Sequence, residues 1–118
     1  MLAIPFDPSM KAAALCGKKT CTSRNEVYGN PGDTFPLDDC FFELQSVKRK
    51  SLGFVARCLY RAEGFESEEE FKNFWMKLHP KKRYDPGHTV YVHFFALFAR
   101  VEPVDAMRRL REDAERRR

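Results

Sequence analysis

The sequence predicts an α+β domain: a small curled, barrel-like sheet of mixed or antiparallel strands, flanked by two helices. The chain has 118 residues, which is enough for one hydrophobic core but not for two. Helix signals occur twice, and short segments rich in aromatic and β-branched residues lie before, between and after them. The resulting order is β-α-β-β-β-α-β, and it contains neither a G-x-G-x-x-G fingerprint nor a P-loop, which argues against the common nucleotide-cofactor folds.

The first predicted elements are a strand over residues 2–6 and a short helix after it. Asp7 can accept hydrogen bonds from the first helical N–H groups, and Pro8 suits the first turn. Gly17 can adopt the left-handed conformation that ends a helix. A threonine-rich strand is expected over residues 18–24, and an extended piece begins at Phe35 after a turn cluster.

A hairpin is predicted in the middle of the chain. Residues 41–47 alternate apolar and polar side chains, as a half-buried strand does. We expect residues 48–51 to form a charged turn and residues 52–60 to form the returning strand, with arginines on one face and apolar side chains on the other.

The clearest element is a helix that begins at Ser67 and ends before Pro80. Ser67 and Glu70 form a capping box, and acidic residues fill the first turn. Apolar residues follow at i, i+3, i+4 and i+7, namely Phe71, Phe74, Trp75 and Leu78. This aromatic face is more typical of core packing than of a ligand site.

The last predicted strand covers residues 90–98 and is apolar on both faces, which predicts burial on both sides. His93 lies on it and is interpreted as a structural histidine with satisfied hydrogen bonds.

Charge and composition set the cellular context that we expect. The net charge is +4, and residues 107–118 carry most of it, with six arginines against three acidic residues. No apolar segment is long enough for a membrane helix, and no secretory signal is visible, so the sequence predicts a cytoplasmic protein without a membrane partner. The four cysteines lack C-x-x-C spacing and are expected to be reduced thiols; the sequence predicts no metal site and no cofactor.

Residues 17–26 are unusual because two lysines, one arginine and three hydroxyl side chains follow a tight helix end. Cations and hydrogen-bond donors this close together suit an anion or polar ligand. The alternative is an edge strand whose lysines and threonines are simply solvated.

The same segment contains the pattern G-x-K-T-x-T-x-R, formed by Gly17, Lys19, Thr20, Thr22 and Arg24. It resembles the signature of the ASCH domain (activating-signal-cointegrator homology), a relative of the PUA fold. Gly32-Asp33 before an extended segment and Glu63-Gly64-Phe65 before a Glu-rich aromatic helix fit the same family. The resemblance covers residues 2–98. It implies a PUA-like ASCH domain over residues 1–102, followed by an Arg-rich helix or tail over residues 103–118.

The resemblance also implies function, because ASCH domains are associated with RNA and nucleoside chemistry. The first expectation is a module that binds RNA or a modified nucleoside. The alternatives are an amidohydrolase that removes the acetyl group of N4-acetylcytidine, and a ribonuclease. In the amidohydrolases a Lys, a Thr and a Glu are the key set, which by residue match corresponds to Lys19, Thr22 and Glu63. Thr22 would attack the amide carbonyl, Lys19 in its neutral form would accept the proton, and Glu63 would orient Lys19 or protonate the departing amine.

Further residues are candidates for substrate or RNA contacts. Lys18, Thr20 and Arg24 belong to the polar segment, and a base would stack on Tyr28 or Phe65. The basic clusters at Lys48, Arg49 and Lys50 and at residues 81–83 would contact phosphates, unless they are only solvated turns. One geometric condition applies to the catalytic set. A regular strand would point Lys19 and Thr22 to opposite faces, so a bend near residues 20–21 is required.

Overall fold

The structure is a computed structural model that describes residues 2–101. Its helices are α1 (Pro8–Leu15), α2 (Leu52–Cys58) and α3 (Glu68–Leu78), and its strands are β1 (Cys21–Arg24), β2 (Thr34–Leu37), β3 (Cys40–Ser51) and β4 (Thr89–Arg100). The strands form one antiparallel sheet in the order β1-β4-β3-β2. Register shifts at two places between β3 and β4 add local twist, which curls the sheet. The predicted α+β fold is confirmed, with antiparallel pairing throughout and a third helix.

Both predicted helix starts are confirmed by their caps. The Asp7 carboxylate accepts from the main-chain N–H of Ser9 at 3.0 Å, and Pro8 opens α1. The hydroxyl of Ser67 accepts from the N–H of Glu70 at 3.1 Å, at the start of α3. Each cap satisfies an N–H group that the helix itself leaves unpaired.

The predicted hairpin is wrong. Residues 48–51 continue β3, and the segment after them is helix α2. The Ser51 hydroxyl caps α2 by accepting from the N–H of Phe54 at 3.2 Å. Leu52, Val55 and Ala56 lie on one face of the helix and are fully buried. The spacing i, i+3, i+4 therefore outweighs the two-residue alternation that predicted a strand.

Other predicted strands differ at their ends. Residues 2–6 form no strand, although the N–H of Leu2 donates to the carbonyl of Thr34 at 3.1 Å. β1 starts at Cys21, three residues later than predicted. Burial of β4 on both faces is wrong for its second half, where Leu97 is 50% exposed and Phe98 is 64% exposed.

The core has two parts. One lies between the sheet and helices α2 and α3 and includes Cys21, Val90 and Val92 from the strands. The other surrounds Phe35 and Phe42, which stack on each other with ring centroids 5.7 Å apart. Among residues 2–101, none of the helices has the length and apolar character needed to span a bilayer. The predicted tail, residues 103–118, lies outside the described residues.

Candidate functional site

The buried polar and charged side chains within residues 2–101 are Lys19, Thr22, Glu63 and His93. They gather around β1, which is one of the two edge strands of the sheet. Three of them are the predicted catalytic residues, and the fourth is the histidine interpreted as structural. Buried polar groups need hydrogen-bond partners, so their contacts indicate what each one does.

The outer edge of β1 is paired by a loop rather than by a strand. The N–H groups of Thr20 and Cys21 both donate to the carbonyl of Ala62, at 2.7 and 3.1 Å. The N–H of Ser23 donates to the Glu63 carboxylate at 2.8 Å. Because two successive N–H groups share one acceptor, the backbone bends just before β1. The predicted bend near residues 20–21 is confirmed, and it brings Lys19 and Thr22 to the same site.

Lys19 and Glu63 form a buried ion pair. The ammonium of Lys19 donates to the main-chain oxygen of Glu63 at 2.9 Å and lies 3.7 Å from its carboxylate. Lys19 is 4% exposed and Glu63 is 2% exposed. Burial raises the pKa of Glu63, while Lys19 and the N–H of Ser23 oppose that rise.

Gly64, which follows Glu63 in the chain, packs closely against Lys19. Its φ of +102° is in the left-handed region, and a Cβ built there would lie 3.2 Å from the Cβ of Lys19. We expect Gly64→Ala to destabilise the protein by about 1–3 kcal/mol, because it adds backbone strain and crowds Lys19.

Urea unfolding of Gly64→Ala and Gly32→Ala measures this effect. Gly32 has a φ of +94°, and a Cβ added to it would meet nothing within 4 Å, so its variant reports backbone strain alone. A cost no larger at Gly64 than at Gly32 would contradict the crowding of Lys19.

Thr22 is held by its neighbour two residues on. The Nε of Arg24 donates to the Thr22 hydroxyl at 3.2 Å. The Arg24 guanidinium lies over the rings of Phe6 and Tyr28, 5.2 and 5.5 Å from their centroids. These cation–π contacts hold the guanidinium beside the hydroxyl.

His93 joins β4 to both β1 and the loop that carries Tyr28. Its Nε2 accepts from the N–H of Tyr28 at 3.0 Å, so Nδ1 carries the proton and donates to the carbonyls of Tyr91 at 3.0 Å and Thr22 at 3.3 Å. The interpretation of a satisfied structural histidine is confirmed. Burial lowers the pKa of His93 and keeps the ring neutral.

This neutral ring makes stability depend on pH. A folded-state pKa below the ordinary value of 6.5 means that the unfolded chain binds the proton first, so the contribution of His93 falls as pH falls below about 6.5. We expect the stability difference between wild type and His93→Gln to shrink as the pH is lowered from about 7.5 to about 5.

Urea unfolding across that pH range measures the difference. Glu63 changes the stability with pH in the opposite direction, because its pKa is raised. This change occurs in both proteins, so it cancels in the difference between them. A difference that stays constant with pH would mean that His93 does not supply the dependence.

A cavity of about 710 Å³ opens between β1 and α3. Its polar wall includes Lys19, Thr22, Arg24 and Glu63. The opposite wall is aromatic and includes Phe65, Phe71, Phe74 and Trp75. The core interpretation of the α3 face is confirmed for Phe71 and Trp75, which are buried, yet both also line the cavity. It is wrong for Leu78, which lies in the last turn of α3 and is exposed. Tyr28 lines it as well, together with Phe65, as the stacking hypothesis requires.

Other sequence candidates lie elsewhere. Lys18 is exposed and pairs with Glu66 at 2.7 Å, and Thr20 is exposed beside a different cavity of about 220 Å³. The predicted cluster of Lys48, Arg49 and Lys50 lies on β3 and does not line the large cavity.

Sequence reasoning missed several cavity residues. Asp7, Asn25 and Glu26 line the cavity beside the polar wall, and His79 stacks on Trp75 with ring centroids 4.3 Å apart. Asp7 and His79 are residues that begin and end helices, and no local motif marks them as binding residues. Within residues 2–101 no cluster of three or more His, Cys, Asp or Glu side chains is placed to hold a metal ion.

The fold matches solved structures in shape and only weakly in sequence. The ASCH domain from Lactobacillus crispatus JV V101 superposes with a TM-score of 0.57 and 14% identity, covering 82% of this chain and 77% of that one. The chain has an ASCH-domain fold. Protein EF3133 from Enterococcus faecalis V583, described as DUF984, gives a TM-score of 0.54 and 17% identity, covering 80% of this chain and 74% of that one. No protein-family model and no curated protein sequence matches the chain.

Proposed function

We propose that the chain binds an N4-acylated cytidine in the large cavity and hydrolyses its amide bond. The observation that carries this proposal is the buried Lys19–Glu63 pair, which lines one cavity wall together with the Thr22 hydroxyl. The aromatic wall opposite would receive the base, because aromatic side chains stack on unpaired bases. The proposal rests on this arrangement and on the residue match of Lys19, Thr22 and Glu63 to the key set of the ASCH amidohydrolases.

A structural role alone explains the buried pair poorly. Taking two charges out of water is costly, and well-packed apolar residues of similar size often stabilise a protein as much. A buried carboxyl group with a raised pKa, placed in the wall of a cavity, is instead typical of functional sites.

The pair can supply the base that Thr22 needs. Lys19 and Glu63 share one proton. In the first arrangement Lys19 is an ammonium and Glu63 a carboxylate, and in the second Lys19 is an amine and Glu63 a carboxylic acid. The mechanism uses the second arrangement, in which Lys19 is a free amine, and the burial that raises the pKa of Glu63 lowers the cost of moving the proton onto that carboxylate. That amine accepts the Thr22 proton as the hydroxyl oxygen attacks the acetyl carbonyl carbon.

The remaining steps balance with one water. The C–N bond breaks, the proton held by the Lys19–Glu63 pair passes to the departing N4 amine, and cytidine leaves. Water then hydrolyses the acetyl ester on Thr22, giving acetate and the free hydroxyl.

The test is to incubate the purified protein with N4-acetylcytidine and to measure cytidine and acetate by chromatography. Equal amounts of both products are expected, and protein denatured by heat is the control. If the substrate is unchanged after several hours, the chain is not this hydrolase.

RNA binding is a second candidate, favoured by the exposed Lys48 and Arg49 at the end of β3. Phosphate contacts of this kind weaken steeply as salt rises. Binding of a single-stranded RNA should therefore fall with salt and fall further in Lys48→Ala/Arg49→Ala, with Thr22→Val unaffected. The same samples test ribonuclease activity, because RNA that stays intact would contradict it.

A further inference from the structure

Arg24 lines the cavity. Its hydrogen bond and its two cation–π contacts, however, are all made with neighbouring side chains. The Nε donates to the Thr22 hydroxyl, and the planar guanidinium lies over two aromatic rings. Burial is the largest influence on the pKa of Arg24 and lowers it, but an arginine stays charged at any working pH. A fixed positive charge therefore lies 3.2 Å from the oxygen of Thr22.

This contact has two consequences for the hydroxyl. The Nε–H occupies one lone pair of the oxygen, so the hydroxyl hydrogen must point to another acceptor. The positive charge also stabilises the negative charge that develops on the oxygen as its proton leaves.

One of the two rings over which Arg24 lies belongs to Tyr28, a residue that is itself anchored to Thr22. His93 donates to the carbonyl of Thr22 and accepts from the N–H of Tyr28, so one imidazole fixes the spacing between the threonine and the tyrosine. Tyr28 also packs edge-on against His93, with ring centroids 6.0 Å apart. The threonine, the arginine and the tyrosine thus form one connected unit.

We infer that Arg24 is a positioning residue, which holds the Thr22 hydroxyl in a single orientation toward the cavity, and that Tyr28 and His93 keep it in place. The inference rests on the proposed hydrolase function for its kinetic consequence. It differs from the expectation that Arg24 binds the substrate directly.

Arg24→Lys tests the inference because lysine keeps the charge but loses the planar group and the Nε donor. With N4-acetylcytidine, kcat should fall about 100-fold, the effect of a small misplacement of a reacting group, while KM stays within about twofold. The matched control is Arg61→Lys, since Arg61 stacks on Tyr60 at 5.7 Å and does not line the cavity. A raised KM with unchanged kcat would assign Arg24 to substrate binding and overturn the inference.

A second measurement separates this inference from the proposed function. The threonine methyl groups are labelled with ¹³C, and Thr22→Ser identifies the Thr22 signal. Three-bond couplings should report one Thr22 rotamer in wild type and in Arg61→Lys, and averaged rotamers in Arg24→Lys. If wild type fails to hydrolyse the substrate, the proposed function is wrong, and this measurement still decides the role of Arg24. Unchanged couplings in Arg24→Lys would contradict it.

Discussion

Thr22→Val should reduce the hydrolysis of N4-acetylcytidine by at least about 1,000-fold, because it removes the attacking oxygen. Valine has nearly the shape of threonine, so the buried side chain still fills its place beside β4. The rate of cytidine release under saturating substrate measures the effect. Binding of the substrate should change little, since the aromatic wall and the Lys19–Glu63 pair remain.

Thr22→Ser is the matched control for that prediction. Serine keeps a hydroxyl at the same position and should retain measurable hydrolysis, at a rate set by its greater rotamer freedom. If Thr22→Val hydrolyses the substrate as fast as wild type, then Thr22 is not the nucleophile.

The second large effect is on stability and concerns the buried ion pair. Lys19→Met leaves the Glu63 carboxylate buried without its partner, which should cost about 3–5 kcal/mol. The double variant Lys19→Met/Glu63→Gln removes both charges and should recover most of that loss, since the introduced glutamine can still accept from the N–H of Ser23. Urea unfolding of wild type, the two single variants and the double variant gives the coupling energy.

The pH dependence of Lys19→Met follows from the pKa of Glu63. Burial already raises this pKa above its ordinary value of 4.5, and the loss of Lys19 removes the largest opposing influence. A carboxyl group with a raised folded-state pKa binds its proton more tightly in the folded chain. Stability is then highest below pH 4.5 and falls as the pH rises through the folded-state pKa. Lys19→Met should therefore lose stability more steeply than wild type as the pH rises through the folded-state pKa of Glu63, and the double variant should not.

Independent effects would contradict the pairing. If the losses in Lys19→Met and Glu63→Gln simply add in the double variant, the two side chains do not interact, and the shared-proton mechanism would lack its basis.

The two helix starts, at Asp7 and Ser67, were predictable from the sequence because their signals are local. An N-cap side chain bonds to an N–H group two or three residues away, so the sequence alone carries the information. Helix α2 was not predictable in the same way. Its apolar residues fit both an alternating strand and a helical face, and only the tertiary burial of Leu52, Val55 and Ala56 decides between them.

For the candidate site, the sequence identifies the residues, and the structure shows that their side chains lie close together. The motif identified Lys19, Thr22 and Glu63, but Lys19 and Glu63 lie 44 positions apart in the sequence. Their contact depends on the turn at Gly64 and on the hydrogen bonds of the Ala62 carbonyl, which are tertiary features. The core prediction for the α3 face explains the burial of Trp75 but not its place in the cavity wall, because a helix face can pack against the core along one part and line a cavity along another.

The loop that pairs with the outer edge of β1 also covers a strand edge to which another chain could otherwise bind. An uncovered strand edge presents free N–H and C=O groups to which another chain can add a strand. Here the covering groups are the Ala62 carbonyl and the Glu63 carboxylate, and the second is also a candidate catalytic group. Substitutions that shorten or displace Glu63 would thus leave the N–H of Ser23 on the β1 edge free to pair with another chain, and they would also impair the site. Self-association would then accompany loss of activity.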